Sequence, residues 1–196
     1  MTALDFEGSG DPDADLERLL KLELEGAELR VLPFWGHTAS APHPGPWVLS
    51  QWWPAGFTVD GIAYRHAEGY LMAEKAKLFQ DEPTRAAIIE AAHPGEAKKL
   101  GRLVAGFDEA RWRVHRFQLA VAGNRAKFGQ NPDLGDYLLS TRGRVLVEAS
   151  PRDRIWGVGL GPNNPAAGCA STWRGDNLLG FALMAVRDTP GPTGRR

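Results

Sequence analysis

The stretch YRHAEGYLMAEKAKLF, residues 64–79, decides how this chain is read. Ala, Leu, Met, Glu and Lys fill it, all strong helix formers, and Gly69 is its one weak point. Just upstream, FTVDGIA at residues 57–63 splits into two extended pieces around an Asp60-Gly61 turn, a dipeptide suited to a tight hairpin. A hairpin running into a helix predicts a mixed α+β chain.

Downstream, Asp81 and Pro83 predict a helix to Ala92 that His93-Pro94-Gly95 ends, and a third helix fits Glu96 to Val104. Asp108 is placed to cap a long helix to about Phe128. Its Trp112, Phe117, Ala120, Val121 and Phe128 would face a core while Arg111, Arg113 and Arg116 stay solvated. Asn131-Pro132 opens a short helix to about Leu139, and Asp176, as cap, starts a final one to Arg187. Upstream, leucines 16, 19, 20, 22 and 24 recur at partly helical spacing between Asp13 and Gly26. Leu29–Phe34, Arg144–Ala149 and Arg154–Leu160 read as strands. The fold class is therefore α+β, a compact single domain, mostly helical with a small sheet.

With 196 residues, the chain has the size of one domain with short tails. Residues 1–28 read as an extension with a short helix, 29–188 as the domain and 189–196, TPGPTGRR, as a disordered tail; Met1 to Asp13 is expected to be mobile as well. Lys and Arg total 23 against 24 Asp and Glu, which excludes a chain-wide charge excess for non-specific duplex binding and leaves room for a local basic groove. The lone Cys169 excludes an internal disulfide or a multi-cysteine zinc site, and points to a reducing compartment, the cytoplasm. No apolar run reaches the roughly 18 residues that span a bilayer, and the acidic start lacks the order of a signal peptide. Scattered histidines and the lack of any phosphate-loop or dinucleotide motif imply no metal and no cofactor.

Three constellations carry chemistry. Glu68 and Lys75 lie seven residues apart on the predicted helix, so they share a face, about 10 Å apart along the axis. Asp153 precedes Trp156 by three residues in DRIWGVGL, where nearby glycines permit the irregularity needed for the two to converge. WRGDNLLG, residues 173–180, is a helix start whose free N–H groups can hold an anion. The long loop Trp35–Ala55 adds four tryptophans, and flat side chains in loops suit flat ligands.

Taken in order, these pieces resemble the NADAR, or YbiA-like, family over about residues 32–187. The matching segments are Phe34-Trp35-Gly36, Ser50-Gln51-Trp52, residues 57–61, Tyr64 to Tyr70 with Ala73-Glu74-Lys75-Ala76, residues 97–102, residues 146–150, Asp153 to Gly159 and Trp173 to Gly180. Two departures stand out. The family pattern usually has Glu-His-Tyr where this chain has Glu68-Gly69-Tyr70, and commonly Ser-Asn-Phe where it has Ser50-Gln51-Trp52. The missing imidazole is then absent or supplied from elsewhere, with His66 as the nearest source.

The resemblance implies a compact α+β enzyme, a hydrolase cleaving N-glycosidic bonds between a ribose and a nitrogenous base. Two substrate classes come with it: ADP-ribose on guanine, in nucleotides or in single-stranded nucleic acid, and phosphoribosylamino-pyrimidine intermediates of riboflavin synthesis. The larger indole at Trp52 favours the first. A non-catalytic ADP-ribose or nucleotide-binding module is the rival reading, and a purely structural protein the third. Glu68, Lys75 and Asp153 are the expected catalytic residues. Glu68 would stabilise an oxocarbenium-like centre or move a proton, and Asp153 would orient or protonate the substrate, the two roles being interchangeable at this level. Lys75 is either a Schiff-base nucleophile, which requires the neutral amine, or a phosphate ligand, and Glu68 close by would oppose the former. Phe34, Trp35, Gly36, Ser50, Trp52, Tyr70, Trp156, Trp173 and Asn177 are the expected substrate-binding residues, with Trp156 and Trp52 stacking on the base and Asn177 holding sugar hydroxyls or phosphate.

Overall fold

The computed structural model describes residues 3–189. Its chain divides into two compact units, one running to Ser50 and resuming at Asp136, the other spanning Gln51–Gly135.

The Gln51–Gly135 unit starts with the expected hairpin: β1 (Phe57–Val59) pairs antiparallel with β2 (Ile62–Tyr64). Asp60 and Gly61 both have positive φ, at 49° and 77°, which matches the right-handed twist of the strands they join. Helices α1 (Ala67–Leu78), α2 (Glu82–Glu90), α3 (Pro94–Gly101) and α4 (Glu109–Gln130) follow. The small residues Ala67, Ala73 and Ala76 bury α1 against its neighbours, and Tyr70 fills the space beside Gly123 of α4, where an added Cβ would lie 2.4 Å from the ring. Phe57, Tyr64 and Tyr70 complete an aromatic cluster with centroids 5.2–6.0 Å apart. His93-Pro94-Gly95 was expected to end α2; it starts α3, because the His93 imidazole caps the helix by accepting from the Gly95 N–H and Pro94 occupies the first helical position. On α4 the five residues predicted for the core are buried, and so is Arg116, read from its neighbours as solvated; its guanidinium pairs with Glu109 at 3.6 Å.

In the other unit, α5 (Pro12–Leu24) precedes β3 (Val31–Phe34), which pairs in parallel with β4 (Val145–Glu148), Val31 opposite Val145 and Phe34 opposite Glu148. Helix α6 (Pro132–Ser140) carries the chain into this unit. Helix α7 (Leu178–Asp188) is apolar on nearly every side and buried accordingly. Gly180 lets it touch β4, since a Cβ there would lie 2.2 Å from the Leu146 carbonyl oxygen. Residues 3–13 are not mobile appendages. Phe6 is buried, Leu4 bridges Leu29, the Gly8 N–H donates to Asp188, and the buried Arg187 guanidinium donates to the carbonyls of Phe6, Thr141 and Arg144. The tail read as disordered lies, from residue 190, outside the described residues.

Arg154–Leu160 is not a strand. Its carbonyls accept from the backbone of 174–179 instead: Asp176 to Arg154 at 3.0 Å, Leu178 to Ile155 at 3.2 Å, Leu179 to Trp156 at 3.0 Å and Arg174 to Val158 at 2.9 Å. Gly175 permits the approach, since a Cβ there would lie 2.4 Å from the Gly157 carbonyl oxygen, and Gly157 lies against Glu148, whose carbonyl oxygen would be 2.8 Å from its Cβ. Two motifs that look independent in sequence are thus one cross-braced element. No helix among the described residues is long and apolar enough to cross a membrane.

Candidate functional site

The expected site residues fall in both units, each described separately. In the Gln51–Gly135 unit the start of α1 is the centre of the arrangement. His66 is its N-cap, with Nδ1 accepting from the Gly69 N–H at 2.9 Å. The Glu68 N–H donates to the Gln51 carbonyl at 3.0 Å, and the Gln51 side chain donates to Asn124 Oδ1 at 2.9 Å. Asn124 in turn donates to the Ala120 carbonyl. This chain of bonds fixes residues 51 and 52 across the first turn of α1, where Glu68 is 6% exposed. Burial of a carboxylate in a helix first turn, helped by the local dipole, is an arrangement for holding charge where water is scarce. Trp52 is half-buried, edge-on to His93 with centroids 6.0 Å apart, and the Lys98 ammonium lies 6.0 Å from its ring centroid.

Lys75 is satisfied in another way than expected. Its Nζ donates to the Gly101 carbonyl at the end of α3 at 2.8 Å and sits 4.0 Å from the Phe107 centroid and 5.7 Å from Trp112. Burial lowers its ammonium from the ordinary lysine value, and the carboxylate that opposes the shift is Glu109, not Glu68. A second amine shows the neutral character a nucleophile needs more strongly: Lys127 on α4 is fully buried, and burial brings it down to about 7. Asn124 and Lys127 follow Phe117 and Ala120 at helical spacing, so polar residues at core-face positions were the available signal for both. Tyr70 is no open binding surface. It is 4% exposed within the aromatic core, and burial pushes its phenol well above the ordinary tyrosine range. Two grooves of this unit, about 310 and 530 Å³, are lined by other residues.

In the other unit, Asp153 Oδ1 accepts from the N–H groups of Ile155 and Trp156 at 3.0 and 2.8 Å. That carboxylate closes the turn that displays the half-buried Trp156, which is the irregularity the sequence required. Trp35 is 57% exposed beside Gly36, whose φ is 81° with nothing within 4 Å of a built Cβ. Ser50 is half-buried at the end of a 3-10 turn, its N–H on the Trp47 carbonyl. Three expected binding residues are structural instead. Phe34 is 2% exposed in the core, and the Trp173 indole N–H donates to the Ala167 carbonyl. Asn177 is wholly buried, accepting from Glu148 N–H and donating to the Leu146 carbonyl at 2.9 Å each. Asn177, with φ of 52°, and not Asp176, occupies the cap of α7. The N–H groups of Leu178 and Leu179 donate to the carbonyls of Ile155 and Trp156.

Helices and two small sheets, with a buried first-turn glutamate in one unit and a carboxylate-closed tryptophan turn in the other, define a class of small α+β domain, and the comparisons place it. The NADAR domain is matched over residues 33–189. The chain is 41% identical over 157 residues to N-glycosidase R617 of Acanthamoeba polyphaga mimivirus, covering 78% of this chain and 92% of that protein. It is 32% identical to N-glycosidase YbiA of Escherichia coli strain K12, over 69% and 75% of the two chains. The NMR structure of the E. coli protein YbiA superposes with a TM-score of 0.65 at 27% identity, covering 81% of this chain and 83% of that one. The chain belongs to the NADAR family, a family of N-glycosidases by the names of these relatives.

Proposed function

We propose that this N-glycosidase removes ADP-ribose from guanine, in nucleotides or in single-stranded nucleic acid. The observation that carries the reading is Glu68, a glutamate 6% exposed whose backbone is tied to Gln51, next to Trp52. Breaking the C1–N bond builds positive charge on the ribose, and a buried carboxylate held in place opposes that charge without reorganising. The electron pair leaves with the base, water adds to C1, and one proton of that water ends on the base nitrogen. Glu68 also suits activation of that water. Trp52 offers a flat face to the base, with Lys98 beside it for a phosphate. Asp153 acts by holding the turn that bears Trp156.

The test is incubation with an ADP-ribosylated guanine oligonucleotide and, in parallel, with a phosphoribosylamino-pyrimidine, with released base followed by mass. Guanine release that falls at least 100-fold in Glu68→Gln is the expected result. Release from the pyrimidine alone assigns the other substrate, and binding of ADP-ribose without release from either overturns the enzymatic reading in favour of a binding module.

A further inference from the structure

We propose that the Nε2–H of His66 is the hydrogen-bond donor that holds the ring carbonyl of the departing base. The inference rests on the N-glycosidase reading above and names a residue that reading does not use.

The imidazole is 3% exposed, and its Nδ1 accepts from the Gly69 N–H. A ring nitrogen that accepts has no proton, so the neutral ring carries it on Nε2. Nε2 is buried and has no hydrogen-bond partner. A buried donor left unmade is a standing cost to the fold, one that a ligand acceptor would remove.

The fold also gives something up to keep this ring. A Cβ at Gly69 would lie 2.9 Å from His66 Cε1 and 3.1 Å from Nδ1, so an imidazole at 66 and a side chain at 69 compete for one space. Serine or threonine would cap the helix without that conflict. Instead the chain accepts a glycine inside a helix, a poorer helix former than alanine. Where the family pattern has an imidazole at the second turn position, this chain delivers one from the cap.

The surroundings fix what the donor meets. Gln51 O on Glu68 N places Trp52 next to the same helix start, and His93, whose charge bears on His66, is edge-on to Trp52. Arg65 is the other charged group that acts on the ring. Burial and these neighbours lower the imidazole to about 4, so it is uncharged at neutral pH. A neutral donor suits a carbonyl oxygen better than a phosphate. When the C1–N bond breaks, the electron pair enters the base and spreads onto its ring carbonyl, which guanine and the pyrimidinone both possess; a fixed donor there lowers the barrier.

His66→Ser keeps a capping oxygen and removes only the donor, with His66→Thr as the second cap variant should Ser melt early. His66→Ser/Gly69→His returns an imidazole from position 69. Guanine release from the ADP-ribosylated oligonucleotide is compared with release from its 6-thioguanine analogue, whose sulfur accepts poorly. The expected result is kcat/KM lowered about 100-fold in His66→Ser, at least tenfold recovery in the double variant, and a thio penalty in the wild type that His66→Ser lacks. A folded His66→Ser or His66→Thr within twofold of wild type, or an equal thio penalty in both proteins, overturns the proposal. Wild-type protein that releases no base overturns the functional reading instead.

Discussion

Asn177→Ala tests whether the WRGDNLLG segment binds substrate or builds the scaffold. The substitution removes the acceptor for Glu148 N–H and the donor to the Leu146 carbonyl, two β4 backbone groups bonded at 2.9 Å by a fully buried amide. Each orphaned buried group costs about 1–3 kcal/mol. Alanine at φ 52° adds about 1 kcal/mol, because asparagine tolerates left-handed backbone better. Partial relaxation and water entry offset some of this, so the net loss is about 3–5 kcal/mol, or about 10 °C of melting temperature for a chain of this length. Asn177→Asp, which keeps the acceptor and loses the donor, should fall between. Urea unfolding followed by fluorescence gives the free energies, and KM is measured on the folded fraction. A loss below about 1 kcal/mol, or a raised KM in a protein of wild-type stability, would refute the scaffold role and return Asn177 to the ligand.

Asp153→Asn retains an oxygen for the turn, whereas Asp153→Ala does not; if the carboxylate acts by holding Trp156, Asn keeps activity within about tenfold while Ala loses about 1–2 kcal/mol of stability and most ligand binding, read by tryptophan fluorescence. An Asn variant as inactive as Ala would mean the charge itself acts on substrate. Borohydride trapping during turnover, mapped by peptide mass, separates the two amines: an adduct that survives Lys75→Arg and vanishes in Lys127→Met assigns any imine to Lys127, the converse to Lys75, and absence of an adduct in the wild type leaves direct water attack. For His66, the folded value of about 4 lies below the unfolded 6.5, so the unfolded chain binds more protons between them. The stability contributed by its neutral ring is present above pH 6.5 and is lost as pH falls towards 4; the urea midpoint of wild type should drop over this window more than that of His66→Ser.

The hairpin, the order of the helices and the α4 core face were legible because each depends on local chemistry: a turn dipeptide, a cap, a 3.6-residue period. The Arg154–Leu160 segment was not, because its alternation is overridden by Gly175, which lets two backbones meet that lie 16 to 23 residues apart in sequence, from Arg174 on Val158 to Leu179 on Trp156. Arg116 and Arg187 were misplaced or overlooked for a related reason. A guanidinium reads as solvated unless the carbonyls or carboxylates that receive it are known, and the carbonyls that receive Arg187 come from two distant stretches of the chain, Phe6 and Thr141 to Arg144.

The site was legible in a different sense. The family pattern marked segments while leaving open what each residue does, and geometry shows which of them the fold already occupies. Asn177, Trp173 and Phe34 are occupied within the fold, and Tyr70 is enclosed in a core. Glu68 is buried at a helix start, Trp52 and Trp156 are half-buried, and Trp35 is exposed. The departure at Gly69 shows why pattern alone could not settle this. Read as a missing histidine, it suggests a lost function; with the His66 ring occupying the space a Cβ at 69 would enter, it is the condition for placing an imidazole at the helix cap. A chain that had merely lost its histidine would be free to carry alanine at 69, the better helix former, and this one is not.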